Sequence, residues 1–261
     1  MKTDTDQTLV SMEHITRQFG GVRALNGVTL NITQGEIFGL IGPNGAGKTT
    51  LFNVLAGTIA PSAGRVEFNG KEIAGLPPHQ ILQRGVARTF QNIRLFNGLS
   101  ALDNVMIGRH SRTHAGLWGA ITRNAHTRQE ESALRERAEL LLEQVGIRRH
   151  SNTLASNLSY GDQRRLEIAR ALASEPKLLA LDEPAAGMNL AERQTLRELI
   201  VQLREIHGLT VLVIEHDVKW MMALCDRIAV LDFGEMIALD VPEAIRVNPR
   251  VVTAYLGGVN E

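Results

Sequence analysis

Glu36-Ile37-Phe38-Gly39-Leu40-Ile41-Gly42-Pro43-Asn44-Gly45-Ala46-Gly47-Lys48-Thr49-Thr50-Leu51 is the stretch that decides the fold of this 261-residue chain. Its first six residues form a near-continuous apolar run, the pattern of a strand buried on both faces of a parallel sheet. After it, Leu51, Val54 and Leu55 fall at helical spacing and Gly57 stands at a helix end. Between strand and helix, Gly42 to Thr49 fits G-x-x-x-x-G-K-[ST] in the context that motif requires. Gly42, Gly45 and Gly47 let the backbone wrap closely enough to aim successive N–H groups at phosphate oxygens. The helix adds its positive end. Lys48 is placed to reach the β- and γ-phosphates and the Thr49 hydroxyl to ligate Mg²⁺. A Gly-rich strand-to-helix turn is the plainer reading, but motif and context agree on a nucleoside triphosphate site.

Farther along, Leu178-Leu179-Ala180-Leu181 is a second apolar strand, closed by Asp182-Glu183. An aspartate at such a strand end holds Mg²⁺ through water, which leaves Glu183 to orient a water for in-line attack on the γ-phosphate. Thr210 to Ile214 is a third short apolar run. Between these two strands, Leu196, Leu199, Ile200, Leu203 and Ile206 mark one face of a helix. Asn189 and Glu192 have the spacing of a capping box and Gly208 closes the helix. Alternation of this kind predicts a mostly parallel α/β sheet. Nearer the start, Val28, Leu30 and Ile32 alternate, as do Val66 and Phe68 before the hairpin signal Asn69-Gly70.

The middle is different in character. No strand signal occurs between about Asn92 and Arg165, so residues 92–165 are expected to form an inserted helical subdomain. Leu134, Ala138, Leu141 and Val145 mark one face of a long helix ending at Gly146. Asn104 to Gln129 contains no Asp or Glu but carries four Arg, three His and Trp118, a stretch suited to membrane-subunit helices or lipid headgroups, or to a solvated loop.

Composition narrows the function. Lys plus Arg is 28 and Asp plus Glu is 28, so there is no basic excess of the kind that nucleic-acid coating requires. The single Cys225 allows no intramolecular disulfide and suits a reducing compartment. Met1 to Thr8 is polar and acidic, unlike a signal peptide, and no run approaches the ~20 apolar residues that span a bilayer. These features predict a soluble, cytoplasmic chain with a sizeable core.

Leu158-Ser159-Tyr160-Gly161-Asp162-Gln163, before the helical run Arg164 to Ala173, resembles the LSGGQ signature of ABC transporter ATPases. With the phosphate loop and the carboxylate pair it identifies the chain as a member of that superfamily. The resemblance extends by motif from Phe19 to Asp217. Gln91 in Arg88-Thr89-Phe90-Gln91 is similar to the Q-loop glutamine, His216 to the switch histidine, Ala185 to Asn189 to the D-loop, and Phe19 to the aromatic that stacks on adenine.

The resemblance implies a P-loop NTPase (RecA-like) α/β core with an N-terminal antiparallel β-subdomain and an inserted α-helical signature subdomain, residues 1–261 forming one ABC ATPase domain. It implies ATP and Mg²⁺ as cofactors. Lys48, Gln91, Glu183 and His216 are the expected catalytic residues, and Thr49, Gln91 and Asp182 the metal set. Phe19 and Gly42, Pro43, Asn44, Gly45, Ala46, Gly47, Lys48, Thr49 and Thr50 are the expected ATP contacts. Ser159, Gly161, Asp162 and Gln163 would meet the γ-phosphate held by the other subunit of a head-to-tail dimer. Two departures stand out: Tyr160 replaces the first signature glycine, and Asp162 replaces the usual Gln.

Arg88 to Phe96, Leu158 to Ile168, Asp182 to Gly187 and Asn248-Pro249-Arg250…Ala254-Tyr255-Leu256-Gly257 further resemble the ATP-binding subunits of bacterial branched-chain amino acid importers. That implies two transmembrane permease subunits, a periplasmic binding protein acting indirectly, a sister ATPase or a second copy as dimer partner, no nucleic acid, and a peripheral place on the inner face of the bacterial plasma membrane. Another cargo such as urea or amides, a soluble ABC protein of translation or DNA repair, and a non-hydrolysing regulatory subunit remain alternatives at this point.

Overall fold

A computed structural model describes residues 7–109 and 125–256. Within them the chain divides into two compact units, one of Met1–Val86 with Lys177–Glu261 and one of Ala87–Pro176.

The first unit carries two sheets. The antiparallel one has strand order β2-β1-β4-β5, built from β1 (Thr8–Phe19), β2 (Val22–Thr33), β4 (Ala63–Phe68) and β5 (Lys71–Glu72). Asn69 and Gly70 both take positive φ, 51° and 70°, the geometry of the tight turn their pairing predicts. The second sheet runs β10-β9-β3-β8-β7 in this unit, from β3 (Ile37–Ile41), β7 (Leu178–Asp182), β8 (Thr210–Ile214), β9 (Arg227–Asp232) and β10 (Glu235–Asp240), and β6 (Val86–Arg88) straddles the boundary of the two units along the chain. β3, β7, β8 and β9 are parallel, and β10 closes one edge antiparallel to β9. All five residues of β3, β7 and β8 are buried, as the apolar runs require. The alternating residues of β1 and β2 meet Phe38 and Leu40 of β3 and the helix Lys48–Leu55 in one core, where Phe38, Phe52 and Phe68 are all 1% exposed or less.

Register decides where chemistry can sit. Leu40 lies beside Ile214, and Asp182 lies beside the same Ile214. The carboxyl ends of β3, β7 and β8 therefore share one rim, the usual position of a ligand site on an open parallel sheet. Helix Leu190–His207 connects β7 to β8. The Asn189–Glu192 capping box is formed in both directions, and Gly208 ends the helix at φ 60°. Leu196, Leu199, Ile200 and Leu203 are buried, but Ile206 is 49% exposed. Ile206 falls in the final turn, past the last buried position of the stripe.

The second unit is helical among its described residues beyond β6, with helices Ala101–Gly108, Ala125–Gln144 and Tyr160–Leu172. It contains the stretch 92–165 and extends past it at both ends. Ala138, Leu141 and Val145 are buried, and Gly146 takes φ 78° just after the long helix. Gly108 allows a close crossing, since a Cβ there would stand 2.2 Å from the Arg170 carbonyl oxygen. Most of the acid-free stretch, Trp118 included, lies outside the described residues.

Candidate functional site

The phosphate loop occupies the rim where β3 ends. Gly47, in the left-handed region at φ 101°, caps helix Lys48–Leu55 without a side-chain hydrogen bond. A Cβ on Gly47 would lie 2.6 Å from the Ala24 oxygen, and one on Gly42 would lie 2.2 Å from the Leu231 oxygen. Both glycines are thus demanded by backbone shape and by neighbouring backbone. Ala46 is buried; Asn44, Gly45 and Thr49 are exposed, and Pro43 and Thr50 are half-buried. Lys48 is nearly buried and curls back, its Nζ donating to the Gly42 and Pro43 carbonyls at 2.6 and 2.9 Å. Burial lowers its pKa, and the charge of Glu183 works against that shift.

Asp182 ends β7 buried, 5% exposed. The next residue, Glu183, has φ 45°, a left-handed backbone that a side chain adopts at a cost of about 1–2 kcal/mol. Its N–H donates to Ile214 O at 2.9 Å, and its own carbonyl accepts from Ala186 N–H. That strained corner turns the chain from strand to D-loop and lifts Glu183 off the strand line, a pattern that clusters at functional sites.

His216 follows β8 and is exposed. Beside it Glu215 is 1% exposed. Its carboxylate accepts from Ala185 N–H at 2.9 Å and from His216 N–H at 3.1 Å, and stands 3.3 Å from His216 Nδ1. Asp217 caps helix Val218–Leu224 through Trp220 N–H and pairs with Arg193. No motif in the sequence assigns a role to Glu215, Asp217 or Arg193. An acid closing a buried strand is the local signal for Glu215, and it also closes β7.

Lys48, Thr49, Asp182, Glu183 and His216 therefore lie on one unit and on adjoining strand ends. Phe19, also in this unit, is 43% exposed at the end of β1, with the Arg17 guanidinium 4.5 Å from its ring centroid.

Gln91, exposed, and the signature belong to the second unit. The signature helix begins at Tyr160, four residues before the expected Arg164, because Ser159 caps it. Ser159 Oγ accepts from Asp162 N–H at 3.2 Å and donates to the Asp162 carboxylate at 2.9 Å. The Asp162 departure thus supplies an acid in the first turn, where the helix dipole favours one. Gln163 Nε2 donates to the Ala155 and Leu158 carbonyls, both at 3.2 Å. The Tyr160 hydroxyl accepts from Arg164 at 3.3 Å. Arg164 and Glu167 form a buried ion pair at 3.1 Å, and burial raises the Glu167 pKa while Arg164 lowers it. Arg164 also donates to the Phe90 and Gln91 carbonyls, and Glu167 accepts from Phe90 and Arg94 N–H, so this pair holds the Gln91 segment on the signature helix.

The ABC transporter family model matches residues 25–186. The chain is 45% identical over 251 residues to the high-affinity branched-chain amino acid transport ATP-binding protein LivG of Salmonella typhimurium, covering 96% of this chain and 98% of that one. It is similar in structure to MJ1267, an ATP-binding cassette of an ABC transporter, in its ADP conformation, with a TM-score of 0.84 at 30% identity over 96% of this chain and 99% of the other. It is also similar to the dimeric, ADP- and Pi-bound post-hydrolysis state of the cassette MJ0796, with a TM-score of 0.75 at 27% identity over 90% of this chain and 99% of that one. With phosphate loop, acidic strand end and histidine on one rim and relatives matching almost end to end, this chain belongs to the ABC transporter family and is an ABC transporter ATPase.

Proposed function

We propose that this ATPase powers a bacterial importer of branched-chain amino acids from the inner face of the plasma membrane. The near-full-length identity to LivG carries the choice of cargo. No helix among the described residues is long and apolar enough to cross a membrane. In this reading two permease subunits form the route for cargo, a periplasmic binding protein delivers it, and a sister ATPase or a second copy completes the pair of cassettes. The dimeric MJ0796 cassette supports the pairing.

The residues fit ATP. The loop's glycines leave backbone N–H groups open to phosphate, and Lys48 can exchange the Gly42 and Pro43 carbonyls for β- and γ-phosphate oxygens. Phe19 offers an exposed ring for adenine. Thr49 and Asp182 offer oxygen donors of the kind Mg²⁺ prefers, and the ion would neutralise charge on the phosphates. Glu183 orients the attacking water, and His216 meets the γ-phosphate. Ser159 and Gly161 open a helix toward the partner's nucleotide, while Asp162 holds the Ser159 cap and Gln163 holds the turn before it. A ligand shifts a conformational equilibrium by its differential affinity for the two states. ATP therefore favours the closed pair, in which each molecule gains a second set of donors, and loss of phosphate reopens it.

Co-purification of a tagged Glu183→Gln chain from its own cells with ATP and Mg²⁺ tests this reading. Two membrane subunits and a second cassette are expected, with a binding protein whose ligand is a branched-chain amino acid. Recovery on ribosomes or DNA would overturn the transport role.

A further inference from the structure

His216 stands between two acids, and both reach the D-loop. Glu215 places one carboxylate oxygen on Ala185 N–H at 2.9 Å, and the other on His216 N–H at 3.1 Å and 3.3 Å from the ring's Nδ1. Asp217 pairs with Arg193, whose Nε donates to Met188 O at 3.0 Å and whose own carbonyl accepts from Trp220 Nε1 at 3.0 Å. The turn that follows Glu183 is thus tied near its start at Ala185 and near its end at Met188, each tie leading to a neighbour of His216. A third link is the Glu183 N–H to Ile214 O.

We propose that Glu215 is a positioning residue for hydrolysis, fixing the His216 ring through Nδ1 and joining it to the D-loop so that Glu183 and His216 hold station together. Holding the Ala185 and His216 N–H groups does not by itself call for a charge, since neutral acceptors would serve without the desolvation that a buried carboxylate incurs. The second oxygen supplies the reason. A carboxylate facing Nδ1 keeps a proton on that nitrogen and leaves Nε2 as the one presented to a ligand. At 3.3 Å that oxygen is close enough to attract an N–H on Nδ1 and so to bias the orientation of the ring. The Asp217–Arg193 pair, at the other end of the turn, limits how far the D-loop can shift without dragging His216. Movement of the D-loop by a partner cassette is then felt at the histidine.

This inference rests on the reading that His216 meets the γ-phosphate, and the test separates the two. Steady-state ATP hydrolysis and thermal melting are measured for the full-length parent, Glu215→Gln, Glu215→Ala and His216→Ala. Glu215→Gln keeps an acceptor for Ala185 but loses the carboxylate oxygen that faces both the His216 N–H and Nδ1. It is expected to melt within a few degrees of the parent, with kcat about tenfold to a hundredfold lower, the loss typical of a displaced catalytic group, and KM nearly unchanged. Glu215→Ala should lose at least as much kcat and also melt earlier; if it does not fold, Glu215→Gln alone decides. Parent-like kcat in Glu215→Gln beside an inactive His216→Ala overturns the role of Glu215 alone. Parent-like kcat in His216→Ala overturns the reading of His216 and the inference with it.

Discussion

Gly47 has no acceptable substitute, because its φ of 101° and the Ala24 oxygen each forbid a Cβ. Gly47→Ala is expected to abolish measurable nucleotide binding, and strain of at least about 1–2 kcal/mol should appear as a lower denaturation midpoint. Lys48→Ala removes the loop's cation while sparing its backbone. Hydrogen bonds to charged groups contribute about 1.5–3 kcal/mol, so ATP affinity should fall roughly tenfold to a hundredfold in a nucleotide titration. Glu183→Gln keeps shape but loses the carboxylate. Turnover should drop about a hundredfold or more while ATP affinity stays near the parent value, and a parent-like rate would remove Glu183 from the mechanism. These three residues were legible in the linear sequence because strand, loop and carboxylate pair each leave a local pattern.

At the scale of the element, helix Leu190–His207 depends on its first turn as well as its apolar stripe. Asn189→Ala breaks the capping box and should cost about 1 kcal/mol in urea unfolding, with no change in fold. Box, stripe and closing Gly208 were all readable beforehand, since each is a matter of spacing within a few residues. Ile206 was misplaced because periodicity gives the direction of a side chain, not whether anything lies opposite it. The start of the signature helix was read late for another reason: Asp162 stood out as a departure from a family pattern, when its carboxylate and N–H bond Ser159 and cap the helix. Glu215 escaped altogether, since its partner Ala185 is thirty residues away and no local pattern joins them. Likewise, the Arg164–Glu167 spacing fits a helix, but nothing in the sequence pointed to their hold on Phe90 and Arg94.

Across the whole molecule, Cys225 reports on integrity. It is buried at the end of helix Val218–Leu224 against Gly39, and burial, with Asp226 adding to it, pushes its pKa far above the usual thiol range. A maleimide should label it in denaturant and leave it unmodified in the native chain; rapid native labelling would show that helix Val218–Leu224 lifts readily from β3. The discontinuity of the first unit has a consequence for synthesis on the ribosome. β3, at the centre of its sheet, pairs with Val211 to Ile214 on one side and Arg227 to Val230 on the other, all made long after it. The second unit is continuous and emerges in between. A nascent chain therefore carries a finished helical unit alongside an apolar strand still lacking both neighbours, and contacts so distant along the chain form late. Truncated chains that end before Thr210 should be sticky, chaperone-bound and unable to hold nucleotide, whereas released chains that run past Asp240 should be competent.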